Sequence, residues 1–216
     1  MSSRTRTCYK CFQTITYQSP AKKRRADEKK SICKNCCTNQ IPSSLTKEQE
    51  EFLTGLMLGD GSLVYGSKSS LYPRLCIMRQ SKDKEYLFLQ YNLFKEFYST
   101  EPKHSKIFDK RTNRFYENFN SRSRSGLIFR TWHEKWYKNG KKIVPEDIIL
   151  TPLSLLIWFL DDGCVIKQYK HAFVLKISTD GFDKKYVEFL ADKLSNFLEE
   201  KIHVYKNGNG FILKGS

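Results

Sequence analysis

The sequence predicts an α/β protein of two similar halves preceded by a small cysteine-bearing module, and three observations carry that expectation. Two apolar stretches, residues 53–61 and 155–163, each close on Asp-Gly, at Asp60-Gly61 and Asp162-Gly163. The segments after them are also alike. Asp60-Gly61-Ser62-Leu63-Val64 matches Asp162-Gly163-Cys164-Val165-Ile166, and Asp83-Lys84-Glu85-Tyr86 matches Asp183-Lys184-Lys185-Tyr186, at offsets of 102 and 100 residues. Such a long repeat, present twice, is a duplicated helix–strand–strand–helix unit rather than a solenoid. Finally, four cysteines in the first 40 residues form two C-x-x-C pairs. The expected divisions are 1–40, 41–150 and 151–216.

Taken in order, Cys8-x-x-Cys11 and Cys33-x-x-Cys36 have the spacing of a tetrahedral zinc site. Some forty residues make little core, so metal would supply much of this module's folding energy. Cys37 competes with Cys36 for the fourth position, and the symmetric spacing selects Cys36. Between the pairs, Lys22, Lys23, Arg24 and Arg25 fit a phosphate-contacting loop, with an import signal or a merely solvated loop as alternatives. A linker around Ile41-Pro42-Ser43-Ser44 leads to Thr46 and Gln49, a capping box for the first Asp-Gly helix. Thr151-Pro152, an N-cap followed by Pro, opens the second. Alternation predicts strands at 75–80 and 172–179. Amphipathic helices are expected at 82–97 and at 183–199, the latter with Val187, Leu190, Ala191, Leu194 and Leu198 on one face. Phe129, Trp132 and Trp136 have helical spacing and read as core. Asn207-Gly208-Asn209-Gly210 reads as a hairpin turn before a last strand, Phe211 to Lys214.

The two Asp residues invite a chemical reading. A carboxylate in the last helical turn faces the negative end of the dipole, so a cation is expected beside it, most simply a divalent metal. Gly55 and Gly59 lie four residues apart on one helical face and would let the two helices approach closely. Both carboxylates would then meet. The formal charge of +15, from 38 Lys+Arg against 23 Asp+Glu, favours a polyanion: nucleic acid or an acidic membrane surface. No apolar run approaches the length of a membrane span, and no signal-peptide core opens the chain. Seven cysteines, an odd number without a secretion signal, point to a reducing compartment. Cys76 and Cys164 read as packing residues. His104, His133, His171 and His203 are scattered without ligand spacing.

The paired Leu53–Gly61 and Leu155–Gly163 segments resemble the motifs of single-chain LAGLIDADG homing endonucleases, over roughly residues 46–216. The resemblance implies two pseudo-symmetric αββαββ(α) halves forming a DNA-binding saddle, with Asp60 and Asp162 as Mg²⁺ ligands. It also implies Gln80 as a polar residue lining the site and Lys142 as the basic residue that orders catalytic water. Base contacts would come from the saddle, for which Arg74, Arg79, Arg122 and Arg124 are candidates. The implied partner is double-stranded DNA with a long specific site, bound by a monomer. Two departures stand out. Ile157 and Asp161 occupy the positions of Gly55 and Gly59. A second-half partner of Lys142 is expected near about position 244, beyond Ser216, so the second half reads as short of its last helix. The cysteine module is similar to zinc modules fused to intron-encoded nucleases. Three functions are compatible with this reading: a site-specific DNA endonuclease, an RNA-binding intron maturase, and a non-catalytic DNA-binding regulator.

Overall fold

The computed structural model describes residues 4–34, 36, 41–169, 172–208 and 210–215. The chain forms two compact units, Met1–Ser43 and Ser44–Ser216. In the first, β1 (Thr5–Thr7) and β2 (Thr14–Thr16) make an antiparallel hairpin, followed by α1 (Pro20–Glu28). The four-residue basic run, expected in a loop, therefore lies in a helix. Ser19 caps it by accepting from the Lys22 N–H, and Pro20 sets the first turn. Lys23–Asp27 and Arg24–Glu28 pairs, one turn apart, offset the crowding of like charges. No residue of α1 is buried, so polar contacts do the holding. Arg6 is their centre. It donates to the Tyr17 hydroxyl at 2.9 Å and to the Ser31 carbonyl, and pairs with Asp27 at 3.5 Å.

The second unit carries the duplication. Its first half runs α2 (Lys47–Leu58), β3 (Ser62–Tyr65), β4 (Pro73–Gln80), α3 (Lys84–Leu93), β5 (Lys103–Asp109), β6 (Arg114–Arg122) and α4 (Leu127–Trp136). A two-residue pair, β7 (Tyr137–Lys138) with β8 (Lys141–Lys142), closes it. The second half runs α5 (Pro152–Asp162), β9 (Gly163–Tyr169), β10 (Ala172–Ser178), α6 (Lys184–Leu198), β11 (Ile202–Asn207) and β12 (Gly210–Gly215). Both sheets are antiparallel with the same order, β3-β4-β6-β5 and β9-β10-β12-β11. Register repeats too, with Ser62 opposite Cys76 and Cys164 opposite Lys176. The helix expected over 82–97 is α3 flanked by 3₁₀ turns at Ser81–Asp83 and Lys95–Phe97. The tighter turn stacks residues three apart, which sends both Phe94 and Phe97 into the core.

The capping boxes at Thr46 and Thr151 start α2 and α5. These helices pack together with almost no space between backbones. A Cβ at Gly55 would sit 2.5 Å from the Ser154 carbonyl oxygen and 2.6 Å from Ile157 Cβ; at Gly59 it would sit 2.5 Å from Asp161 Cβ. Gly55 thus faces Ile157, and Gly59 faces Asp161, its own counterpart in the duplication. One glycine at each crossing leaves the needed room. The second helix can therefore carry side chains where the first has none.

The halves differ in what covers their sheets. In the first, α4 packs on β4, Phe129 meets Phe97 at a centroid distance of 5.4 Å, and Leu75 is fully buried. In the second, the matching Leu175 is 49% exposed and lines an apolar groove of about 560 Å³ with Leu156, Phe197 and Leu198. Leu198, expected on the buried face of α6, is accordingly half-open. Phe129 and Trp136 are core, whereas Trp132 is only partly covered.

Candidate active site

The packing of α2 against α5 brings their C-terminal ends together, and with them three carboxylates. Asp60 follows α2; Asp161 and Asp162 end α5. Asp60 and Asp162 line one cavity of about 230 Å³, together with Lys142 and the Ser178–Phe182 segment after β10. Burial, then the negative charges of Asp60 and Asp161, push the Asp162 carboxyl up to about 7. This is the response of a carboxylate crowded by its own kind. Lys142 reaches the same place from β8 and donates to the carbonyl oxygens of Gly59 and Gly61, both at 2.9 Å. Two of its three N–H groups are thus fixed on the chain that carries Asp60. Burial brings its pKa down to about 8, against the pull of the neighbouring carboxylates.

Asp161 plays a different part. Its side chain is 0% exposed, and both its oxygens are taken by the protein. Oδ2 accepts the Asp60 N–H at 3.0 Å, while Oδ1 accepts Arg79 Nη2 at 2.5 Å and the Tyr86 hydroxyl at 3.1 Å. The other guanidinium nitrogen of Arg79 bonds Asp60 Oδ2. Arg79 also lies over the Tyr86 ring, 4.9 Å from its centroid. Burial holds the Tyr86 hydroxyl protonated and hence a donor.

Two of the arginines expected to reach DNA sit elsewhere. Arg79 is 7% exposed, on the helix-facing side of β4 with Leu75 and Ile77, because side chains two apart on a strand share a face. Arg124 donates to the Glu96 carbonyl and is partly covered. Arg74 and Arg122 do lie on the open face of the first sheet, in a groove of about 550 Å³ that also includes Asp60 and Asn120. Gln80 is exposed at the end of β4, and the cavity shared by Asp60 and Asp162 does not include it. Arg79, Tyr86 and Asp161 are the site residues that the motifs did not disclose. The signal was available: an ionised residue in a glycine position of a tight helix pair needs a buried cation nearby. Of the histidines, His133 stacks on Tyr137 at 4.4 Å, His104 packs on Phe119, and His203 lies near Tyr205. His171 and Cys37 lie outside the described residues, as does Asn209.

In the N-terminal unit, the sulfurs of Cys8, Cys11, Cys33 and Cys36 all fall within 4.8 Å of one another. Cys8 and Cys36 are 3.9 Å apart, Cys11 and Cys33 3.5 Å. Tetrahedral zinc, with Zn–S of about 2.3 Å, calls for S···S separations of about 3.8 Å. The Cys33 N–H donates to Cys8 Sγ at 3.1 Å, and the Cys36 N–H to Cys33 Sγ at 3.3 Å. Burial opposes ionisation of Cys8, yet the N–H groups of Cys11, Cys33 and Lys10 prevail and bring it down to about 6. The donor set and its spacing fit zinc.

Residues 50–215 match the model of the LAGLIDADG DNA endonuclease family. The chain belongs to that family. Among relatives in sequence, an uncharacterized protein of Methanocaldococcus jannaschii, MJ1098, is 28% identical over 79% of this chain and 66% of its own length. The cytochrome b mRNA maturase bI2 of Debaryomyces hansenii is 30% identical over 76% and 62%. The DNA endonuclease I-ChuI of Chlamydomonas applanata is 31% identical over 65% and 68%. The match thus spans less than two thirds of the length of the first two. In fold, the chain is similar to the homing endonuclease I-WcaI bound to its DNA recognition sequence. That match has a TM-score of 0.75 and 24% identity, covering 84% of this chain and 80% of that one. The matched residues take in most of α2, all of α5, and Asp60 and Asp162 at their ends. Among the described residues, no helix is long and apolar enough to cross a membrane.

Proposed function

We propose that this LAGLIDADG protein is a site-specific DNA endonuclease that breaks both strands by Mg²⁺-dependent phosphodiester hydrolysis. The observation that carries the reading is the meeting of Asp60 and Asp162 in one cavity with Lys142. Carboxylate oxygens are the donors that Mg²⁺ prefers, and the crowded Asp162 carboxyl is the kind of group that a cation would keep ionised. Asp60 and Asp162 would hold the cation, which when bound would supply Lewis-acid charge stabilisation and a more acidic water. The protein's part is to hold its donors still. The contacts of Lys142 with Gly59 and Gly61 fix its ammonium, leaving its third N–H to orient the attacking water and offset charge building on phosphate. Gln80 would line the DNA side of the site.

The two sheets would form the saddle, with Arg74 and Arg122 reaching base edges or phosphates on the first. Lys22, Lys23, Arg24 and Arg25 on α1 would add phosphate contacts from the zinc-stabilised unit, which the four cysteines hold with no open ligand position. The chain would act as a monomer, since it contains both motifs. Intron maturation is the second reading, favoured by the 30% identity with the yeast maturase.

The test is cleavage, in Mg²⁺, of DNA carrying the insertion site of the element that encodes the chain. Double-strand breaks by the parent protein, lost in Asp60→Asn and Asp162→Asn with DNA binding retained, support the endonuclease. No cleavage, with accelerated splicing of the host intron RNA, would establish the maturase instead. Binding of that DNA with neither activity would leave a regulator.

A further inference from the structure

The duplicated halves differ at two positions that meet in space. Where α5 has Asp161, α2 has Gly59. Where β4 has Arg79, the corresponding position just after β10 is Thr179, whose hydroxyl donates to the Phe211 carbonyl at 2.6 Å. One crossing therefore contains a buried charge pair drawn from both halves, and its symmetry mate contains neither charge. Each charge alone would be harmful. Asp161 by itself would be an unpaired carboxylate, 0% exposed, at the negative end of a helix. Arg79 by itself, bonded to Asp60 Oδ2, would cancel the charge that Asp60 needs to attract a cation. Together the three groups, Asp60, Asp161 and Arg79, sum to one negative charge. On the other side Asp162 has uncharged Gly59 and Thr179 at the matching positions.

We propose that Asp161 is a positioning residue that acts through Arg79. It draws the guanidinium into a two-pronged hold and supplies its counter-charge, so that Asp60 keeps a full negative charge for a divalent cation. The geometry separates this role from that of a ligand. Both Asp161 oxygens are engaged by the Asp60 N–H, Arg79 and Tyr86, whereas the Asp60 side chain is 51% exposed and has one oxygen off Arg79. The backbone bond from Asp60 to Asp161 Oδ2 also fixes where that oxygen points. The inference rests on the reading of Asp60 as a cation ligand.

The experiment is a titration of the full chain with Tb³⁺, a luminescent hard cation. It compares the parent, Asp161→Asn, Arg79→Gln, the double Asp161→Asn/Arg79→Gln, and Asp60→Asn. Removing one nearby negative charge should cost Asp161→Asn at least about tenfold in Tb³⁺ affinity. Arg79→Gln should bind at least as tightly as the parent. The double variant, with its single negative charge restored, should return to within about threefold of the parent. A residue that ligates the cation or only supports the fold would show no such recovery, so an equally weak double variant overturns the proposal. Parent-like binding by Asp161→Asn, with binding lost in Asp60→Asn, overturns it while leaving the cation site intact. Unchanged binding in Asp60→Asn removes the cation site itself. Should Asp161→Asn fail to fold, the double variant against the parent decides: near-parent affinity supports the proposal, and loss overturns it.

Discussion

Asp162→Asn should make the protein more stable at neutral pH while removing the proposed cleavage. The folded chain holds the Asp162 carboxyl at about 7, whereas an unfolded chain releases its proton near about 3.9. Between those values the folded state binds the extra proton. The carboxyl's contribution is therefore present at low pH, declines as pH rises through this window, and is gone above about 7. Three pH units correspond to about 4 kcal/mol. Asp162 is partly open to water, so screening reduces this to about 2 kcal/mol. For a unit of this size that is a rise in Tm of about 4–8 °C in the Asn protein at pH 8, shrinking to near zero toward pH 4. All three tryptophans, Trp132, Trp136 and Trp158, lie in the second unit, so their fluorescence reports its melting. Melts in chelator from pH 4.5 to 8 supply the difference. Adding Mg²⁺ or Ca²⁺ should then raise the Tm of the parent more than that of the variant, because the ion binds the folded state through that charge. An Asp162→Asn protein that melts at or below the parent at pH 8 without cation would refute the reasoning.

Gly59→Ala should destabilise by about 1–3 kcal/mol, since the added methyl would lie 2.5 Å from Asp161 Cβ between two backbones; an unchanged midpoint in urea would show that the helices can part. Lys142→Met should lose about 2 kcal/mol through its two bonds to Gly59 and Gly61, with a large fall in cleavage but retained Tb³⁺ binding. Because the Lys142 ammonium is given up near pH 8, the cleavage rate of the parent should decline above that value, and a rate still rising at pH 9.5 would exclude a charged role. The purified protein should contain about one zinc, lost in Cys8→Ser/Cys11→Ser together with the folding of residues 4–36, as read by metal analysis and proteolysis. DNA affinity should fall linearly on a log–log salt plot, and insensitivity to salt would point to a partner other than DNA.

The duplication made the fold legible in the letters. Apolar residues three and four apart that close on Asp-Gly mark a helix end, and offsets of 102 and 100 residues put strand and helix after it in matching order. Local rules suffice for such features: capping boxes, alternation and the glycine face each depend on residues close in sequence. Strand order and the sheet register of β4 against β6 needed the structure, because pairings between distant segments leave no mark on either alone. The same holds for the groove beside Leu175, whose exposure depends on what lies over it.

The site divides in the same way. Sequence singled out Asp60 and Asp162, which stand at helix ends where the motif places them, and added Lys142 through the family resemblance. It could not say that Arg79 turns inward. One position along a strand reverses the face, so Arg79 and Gln80 exchange roles on a single residue of register. Nor could it show that Asp161 is met by Arg79, Tyr86 and the Asp60 N–H, groups lying 75 to 101 residues away. A motif fixes which chemical groups are present at a helix end. Only the close packing of α2 on α5 decides which of the three carboxylates faces the cavity and which is buried against a guanidinium, because burial and charge pairing depend on distances in space.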